Sequence, residues 1–281
     1  MSGAAQRFDS SMAAWRQWQQ APWGRLRFAL AEANLLRHLD GLGDGPLRIL
    51  DLAGGDGGDA VRLAARGHRV TVVDSAPGML AAAGERAEAA GVADRVTRVR
   101  ARIEELPQDV ASGGWDAVLC HNVLQYAESP DAATGTPAAA VAPLREGGVV
   151  SVMAVNRHSA PLVAAVRELD PAAALAALDR DRADGRTFGT AMTLHTAEEI
   201  ASRLDGLGCP GAAHYGIRSI SDYITDDERK HDPAFYADLE RLELAVTDRP
   251  AYRHTARLFQ LIARRESGTG PVGAGRPVRA G

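Results

Sequence analysis

An apolar run that ends in a glycine cluster constrains this chain more than any other feature. Residues 47–52 (LRILDL) lead into Ala53-Gly54-Gly55-Asp56-Gly57-Gly58, after which Ala60, Val61, Leu63 and Ala64 recur at helical spacing until Gly67. The order is strand, loop, helix. Glycines in such a loop let the backbone come within contact distance of a ligand, and the helix N-terminus offers N–H groups with no intrahelical partner. Seventeen residues after Gly57, Asp74 closes a second apolar strand over 69–74 (RVTVVD). The carboxyl ends of neighbouring parallel strands open on one crevice, so Asp74 can accept hydrogen bonds from a ribose lying over the loop. Glycines that merely shape a tight turn are the competing reading. The succession of strand, loop, helix, second strand and terminal acid weighs against it.

The alternation continues with a helix over 76–90, strands over 95–100 and 116–121, a helix over 130–144 and a strand over 148–155. It resumes with a helix over 196–207, a strand over 212–217, a helix over 232–247 and a last strand over 255–263. This pattern predicts an α/β fold: a Rossmann-like, doubly wound, mostly parallel seven-stranded sheet covered on both faces. Phe8, Met12, Trp15 and Trp18 at helical spacing, then Leu26, Leu30, Leu35, Leu36 and Leu39, predict two N-terminal helices. The Ala-rich stretch 161–181, divided at Pro171 and followed by a polar loop at 181–189, reads as a helical insertion. The expected organisation is an N-terminal helical cap (1–44), a cofactor-binding core (45–156), an insertion or lid (157–195), closing strands and helices (196–265) and a disordered Gly/Pro/Arg-rich tail (266–281).

Composition narrows the function classes. With 281 residues, 46% hydrophobic, the chain can bury a core, and its net charge of −4 lacks the overall basic character of a dedicated nucleic-acid binder. A local basic cleft stays open. Two widely separated cysteines, Cys120 and Cys209, make neither a CxxC redox or zinc site nor a disulfide scaffold. No metal site is expected, and a reducing cytoplasm is the default. No apolar run reaches the roughly 18–20 residues of a membrane helix, and the first residues lack an export signal.

The loop also discriminates between nucleotides. A pyrophosphate would be repelled by Asp56, whereas S-adenosylmethionine, with a cationic sulfonium and an amino-acid end, tolerates Asp51 and Asp56, the first facing its ammonium group. The pattern Asp-x-(Gly/Ala)-x-Gly-x-Gly at 51–57, with Asp74, resembles the class I S-adenosylmethionine-dependent methyltransferases, Ala53 standing where that family usually has its first glycine. Further blocks extend the likeness: 24–27 (GRLR), 85–92 (ERAEAAGV), 120–126 (CHNVLQY), 151–156 (SVMAVN), 216–218 (GIR) with Asp222-Tyr223, and 250–252 (PAY). In these the chain is similar to the bacterial tRNA 5-carboxymethoxyuridine carboxyl methyltransferases.

The resemblance implies S-adenosylmethionine as cofactor and the carboxyl group of a modified wobble uridine in tRNA as acceptor. It implies Arg27 at the cofactor's carboxylate, and Ala53 and Gly54 along its methionine portion with Asp51 and Gly55 in the same loop. It further implies Asp74 on the ribose, Ile103 and Glu104 flanking the adenine, and His121 beside the sulfonium. Arg102 departs from the acid-small pair common at the adenine position. Glu104 or a backbone carbonyl must then accept the adenine amino hydrogens.

Plainer readings stand beside these. Arg27 can be a solvated charge on an amphipathic helix, and His121 a satisfied histidine at the sheet edge. Trp15, Trp18 and Trp23 can be core, or a lid that stacks on a base. Cys120 reads as a small apolar residue. On the acceptor side, Arg157 or Arg218 can orient an acidic group, and Tyr223 follows with Asp222. The candidate catalytic residues are therefore His121, Arg218 and Tyr223. A carboxylate acceptor needs only orientation, while a phenol or hydroxyl needs a general base, for which His121 is the candidate. Two other functions remain: methylation of a small metabolite held under the insertion, and a non-catalytic cofactor-binding partner.

Overall fold

The computed structural model describes residues 12–126, 130–185 and 190–268. The expectations for Phe8, for residues 186–189 and for most of the tail lie outside the described residues. In chain order the chain forms α1 (Met12–Gln20), α2 (Pro22–Leu39), β1 (Arg48–Leu52), α3 (Gly58–Ala65), β2 (Arg69–Asp74), α4 (Pro77–Ala89), β3 (Val96–Arg100), α5 (Gln108–Ala111), β4 (Trp115–His121), α6 (Pro130–Val141) and β5 (Leu144–Val155). There follow α7 (Ser159–Val166), α8 (Pro171–Ala177), β6 (Arg182–Gly185), β7 (Thr190–Thr193), α9 (Ala197–Gly206), β8 (Ala213–Ile217), α10 (Pro233–Val246), α11 (Pro250–Arg253) and β9 (Leu258–Arg264).

Seven strands form one sheet in the order β3-β2-β1-β4-β5-β9-β8. The first five pair in parallel, and β9 runs antiparallel to both β5 and β8. The runs in β1, β4 and β5 are almost continuously buried, as strands covered by helices on both faces must be. From β1 the chain builds outward to β2 and β3, then returns to place β4 on the other flank of β1. That reversal opens a crevice at the carboxyl ends of β1 and β4.

Two elements differ from the sequence expectation. Strand β5 starts at Leu144, four residues early, because Leu144 pairs with Trp115 across a register shift and Gly147 at φ +71° carries the strand through Glu146-Gly147-Gly148. The insertion is only partly helical. Its polar stretch contributes β6, which pairs antiparallel with β7 through Ala183 opposite Met192. Four-residue strands are too short for a period-two pattern to register, and the polar residues between them read as loop.

Helix α2 is more deeply buried than an amphipathic helix, for it covers Arg27 and Asn34 together with Leu26, Leu30, Ala31, Leu35 and Leu39. Helix α1 joins it at a tight crossing. A Cβ at Gly24 would lie 2.2 Å from the Trp18 carbonyl oxygen and 2.7 Å from Gln19 Cα. Gly24→Ala is therefore expected to cost about 1–3 kcal/mol through overpacking, read as a fall in Tm of several degrees. A Tm equal to that of the wild type would show that the crossing is slack.

Candidate cofactor and acceptor cleft

A cavity of about 960 Å³ occupies the crevice at the carboxyl ends of β1, β2, β4 and β5. Its floor is the loop after β1, where Ala53, Gly55 and Gly57 take φ values of +49°, +57° and +72°. Ala53 accepts a conformation that costs a residue with a Cβ about 1–3 kcal/mol. At Gly54 a Cβ would come within 2.5 Å of Asp51 Oδ2, so no side chain fits between loop and strand. Asp74 fixes the loop from the neighbouring strand. Its Oδ2 accepts from Gly55 N at 2.9 Å and its Oδ1 from Ala76 N at 2.9 Å.

Asp51 is buried with Oδ2 lacking a hydrogen-bond partner. Burial first and the charge of Asp59 second push its carboxyl well above the usual carboxylate range. Asp59, in the first turn of α3, was not singled out from the sequence, where an acid at a helix start is unremarkable. Yet it organises the cleft. Arg27 Nη1 donates to Asp59 Oδ1 at 2.6 Å and Oδ2 at 2.7 Å, and His121 Nδ1 lies 2.8 Å from Asp59 Oδ2. Burial works against the charge of Asp59, but Arg27 and His121 outweigh it and hold the carboxyl well below the usual range. A basic residue flanked by buried leucines on α2 was the sequence signal, since a buried guanidinium demands a carboxylate.

His121 is satisfied on both sides. With Nδ1–H donating to Asp59, Nε2 accepts from Ser151 Oγ at 2.8 Å. Burial lowers its pKa. The ring lines the cavity, but no nitrogen is left to take a proton from an acceptor, which counts against the general-base reading. Cys120 is wholly buried, and burial pushes its thiol up to about 12. Asp56 also departs from expectation. Its carboxylate accepts from Gln19 Nε2 at 2.9 Å and Arg86 Nη2 at 2.5 Å, bracing α1 against α4.

The remaining candidates divide. Ile103 and Glu104 sit on a 3-10 turn after β3 and line the cavity, Glu104 pairing with Arg102 at 3.4 Å. Trp15, Trp18 and Trp23 also line it, the first two stacked at 5.0 Å. Arg218 lines it at φ +61°, bound to Asp222 at 2.6 Å. Tyr223 does not line it. Its hydroxyl donates to the Thr255 carbonyl and burial raises it to about 12, so it anchors a turn. Arg157 is likewise outside, paired with Glu199 at 3.3 Å. The sequence reading passed over Arg167, Arg180, Arg182, Lys230 and Arg257, which folding gathers around the acceptor half.

This sheet order, with a glycine loop after β1 and an acid at the tip of β2, defines the Rossmann-like methyltransferase architecture. A family model described as a methyltransferase domain matches residues 49–148, about a third of the chain. The tRNA 5-carboxymethoxyuridine methyltransferase of Escherichia coli (strain K12) is 34% identical over 135 residues, 48% of this chain and 50% of that protein. The chain thus spans about half the length of the curated relatives it matches. In fold it resembles a possible histamine N-methyltransferase of Thermotoga maritima (TM-score 0.56, 15% identity, 93% of this chain and 99% of the other). It also resembles the Burkholderia thailandensis 1,6-didemethyltoxoflavin-N1-methyltransferase (TM-score 0.53, 18% identity, 94% and 89%).

The electrostatics of the floor set a pH dependence. A carboxyl whose folded pKa lies above its unfolded value removes stability as pH rises between the two, so Asp51 weakens the ligand-free protein above the ordinary carboxylate pKa. Asp59, depressed, adds stability that is kept above its unfolded pKa and lost only in strong acid. Asp51→Asn should melt higher than the wild type at neutral pH, by roughly 2–4 °C for each kcal/mol gained. The gap should close as pH falls toward about 4. A lower Tm for Asp51→Asn at neutral pH would contradict this.

Proposed function

We propose that the protein transfers a methyl group from S-adenosylmethionine to the carboxylate of an acceptor, and that the acceptor is a 5-carboxymethoxyuridine at the wobble position of tRNA. The observation that carries this reading is the continuity of the cleft, which joins the acidic loop at Asp51 and Asp74 to a half lined by Arg167, Arg180, Arg182, Arg218 and Arg257. Such an acceptor places the protein in the cytoplasm. Among the described residues no helix is long and apolar enough to cross a membrane.

The residues present suit this cofactor. The unpartnered, buried Oδ2 of Asp51 matches an ammonium group, and Ala53 and Gly54 line the cavity beside it, where a methionine chain would lie. Asp74 would hold the ribose hydroxyls, a carboxylate oxygen being able to accept more than one hydrogen bond. Ile103 would cover the adenine, and Arg27, steadied by Asp59, would meet the carboxylate of the amino-acid end. When bound, the sulfonium supplies an already activated methyl group. The chain's own task is then to hold the acceptor in line and exclude water. A carboxylate is ionised at neutral pH, so the engagement of both His121 nitrogens is no obstacle. Arg218 and Arg257 share Asp222, at 2.6 and 3.7 Å, while Arg180 and Arg182 form no ion pair among the described residues, leaving cationic capacity for an anion. We assign 157–195 as the lid over this half.

A second reading rests on the apolar lining that this lid contributes through Val163, Ala164, Met192 and Leu194, together with Leu258. Such a lining suits a small amphipathic anion. Methyl-labelled cofactor offered with tRNA that carries unesterified 5-carboxymethoxyuridine, or with a metabolite extract, separates the two. Label in tRNA supports the first reading and label in small molecules the second. Cofactor binding with transfer to neither contradicts catalysis. Asp74→Ala is expected to raise the cofactor Kd about 10- to 100-fold, equivalent to about 1.5–3 kcal/mol for hydrogen bonds to a charged group. Wild-type affinity would remove Asp74 from the site.

A further inference from the structure

We infer that Glu198, His214 and His254 bind a transition-metal dication of the zinc class at a site separate from the cleft. Their sequence spacing forms no metal motif, and the residues come together only through the topology. Glu198 stands in the first turn of α9, His214 on β8, and His254 in the turn between α11 and β9. One ligand atom from each lies within 4.8 Å of the others, with Glu198 Oε1 and His254 Nδ1 at 3.2 Å. The two imidazoles meet edge to face at 5.2 Å.

The donor set of two imidazoles and a carboxylate is one that zinc takes in three-ligand sites, with water completing the tetrahedron. Zinc at about 2.0–2.1 Å from each donor requires donor–donor separations of about 3.4 Å. The side chains of Glu198 and His254, 56% and 46% exposed, have the freedom to close that difference. His214 Nε2 is buried and has no hydrogen-bond partner in the protein, a state that asks for one from outside. Arg253 addresses the backbone of His214, Nη1 to the carbonyl oxygen at 3.5 Å.

None of the three residues lines the cleft, so the site stands or falls independently of the proposed activity. A bound ion would clip the start of α9 to β8 and to the turn whose His254 carbonyl accepts from Asn156 Nδ2 at 2.9 Å. The test uses untagged, chelator-treated protein dialysed against zinc, with metal content by elemental analysis and thermal denaturation on the same samples. About one zinc per chain and a raised Tm are expected, since a ligand that binds only the folded state stabilises it by mass action. Both effects should vanish in His254→Gln and in Glu198→Gln, whose metal-free Tm should match that of the metal-free wild type. No zinc uptake by the wild type, or uptake unchanged in either variant, would overturn the assignment.

Discussion

The cleft depends on one largely buried carboxylate. Asp59 neutralises Arg27, whose side chain is 4% exposed, and orients His121 through Nδ1. Without it Arg27 would be an uncompensated charge in the core, a defect of about 3–5 kcal/mol. The same bond fixes the tautomer of His121 and so turns Nε2 toward Ser151. From Ser151 Oγ the chain of hydrogen bonds runs to Gln260, Asn34, Thr247 and the Gly216 carbonyl. A single polar network thereby ties α2, α3, β4, β5, β9 and β8 together beneath the cavity.

The two halves of the cleft come from different parts of the chain. The matched domain at 49–148 supplies the loop after β1, the tip of β2 and the turn after β3, all backbone-built features at the carboxyl ends of parallel strands. The acceptor half draws on α1, α2, the insertion and the turns around Arg218 and Lys230. Glu243, fully buried, accepts from the backbone N–H groups of Ser219, Ile220 and Ser221 and so rigidifies the segment that presents Arg218. On the proposed reading, the cofactor would thus be held on the sheet, and the acceptor by groups carried on helices and turns.

What could be read from the sequence follows the range of the interactions involved. The strands and helices of the core were legible because each is a local pattern of burial, and Asp74 because it ends such a pattern beside a glycine loop. Asp59 was hidden because its meaning depends on Arg27, thirty-two positions away, and the roles of Asp56 and His121 because their partners lie on other elements. Asp56 looked like a charge offered to a ligand, and folding gives it instead to Gln19 and Arg86. Tyr223 sits near Arg218 in sequence, but the 3-10 turn between them directs its hydroxyl to Thr255. The strand pair β6–β7 and the histidine–glutamate cluster are products of tertiary pairing and leave no periodic trace.

The central claim is that the Asp59-centred floor is built to receive an adenosyl amino acid. Titration calorimetry of the full chain with S-adenosylhomocysteine, alongside Asp59→Asn checked for an intact fold, tests it most directly. The account predicts one site on the wild type and an affinity lower by about tenfold or more in the variant, the loss that follows when a charged hydrogen-bonding partner is removed. No binding heat from the wild type, or equal affinity in the two proteins, would contradict it.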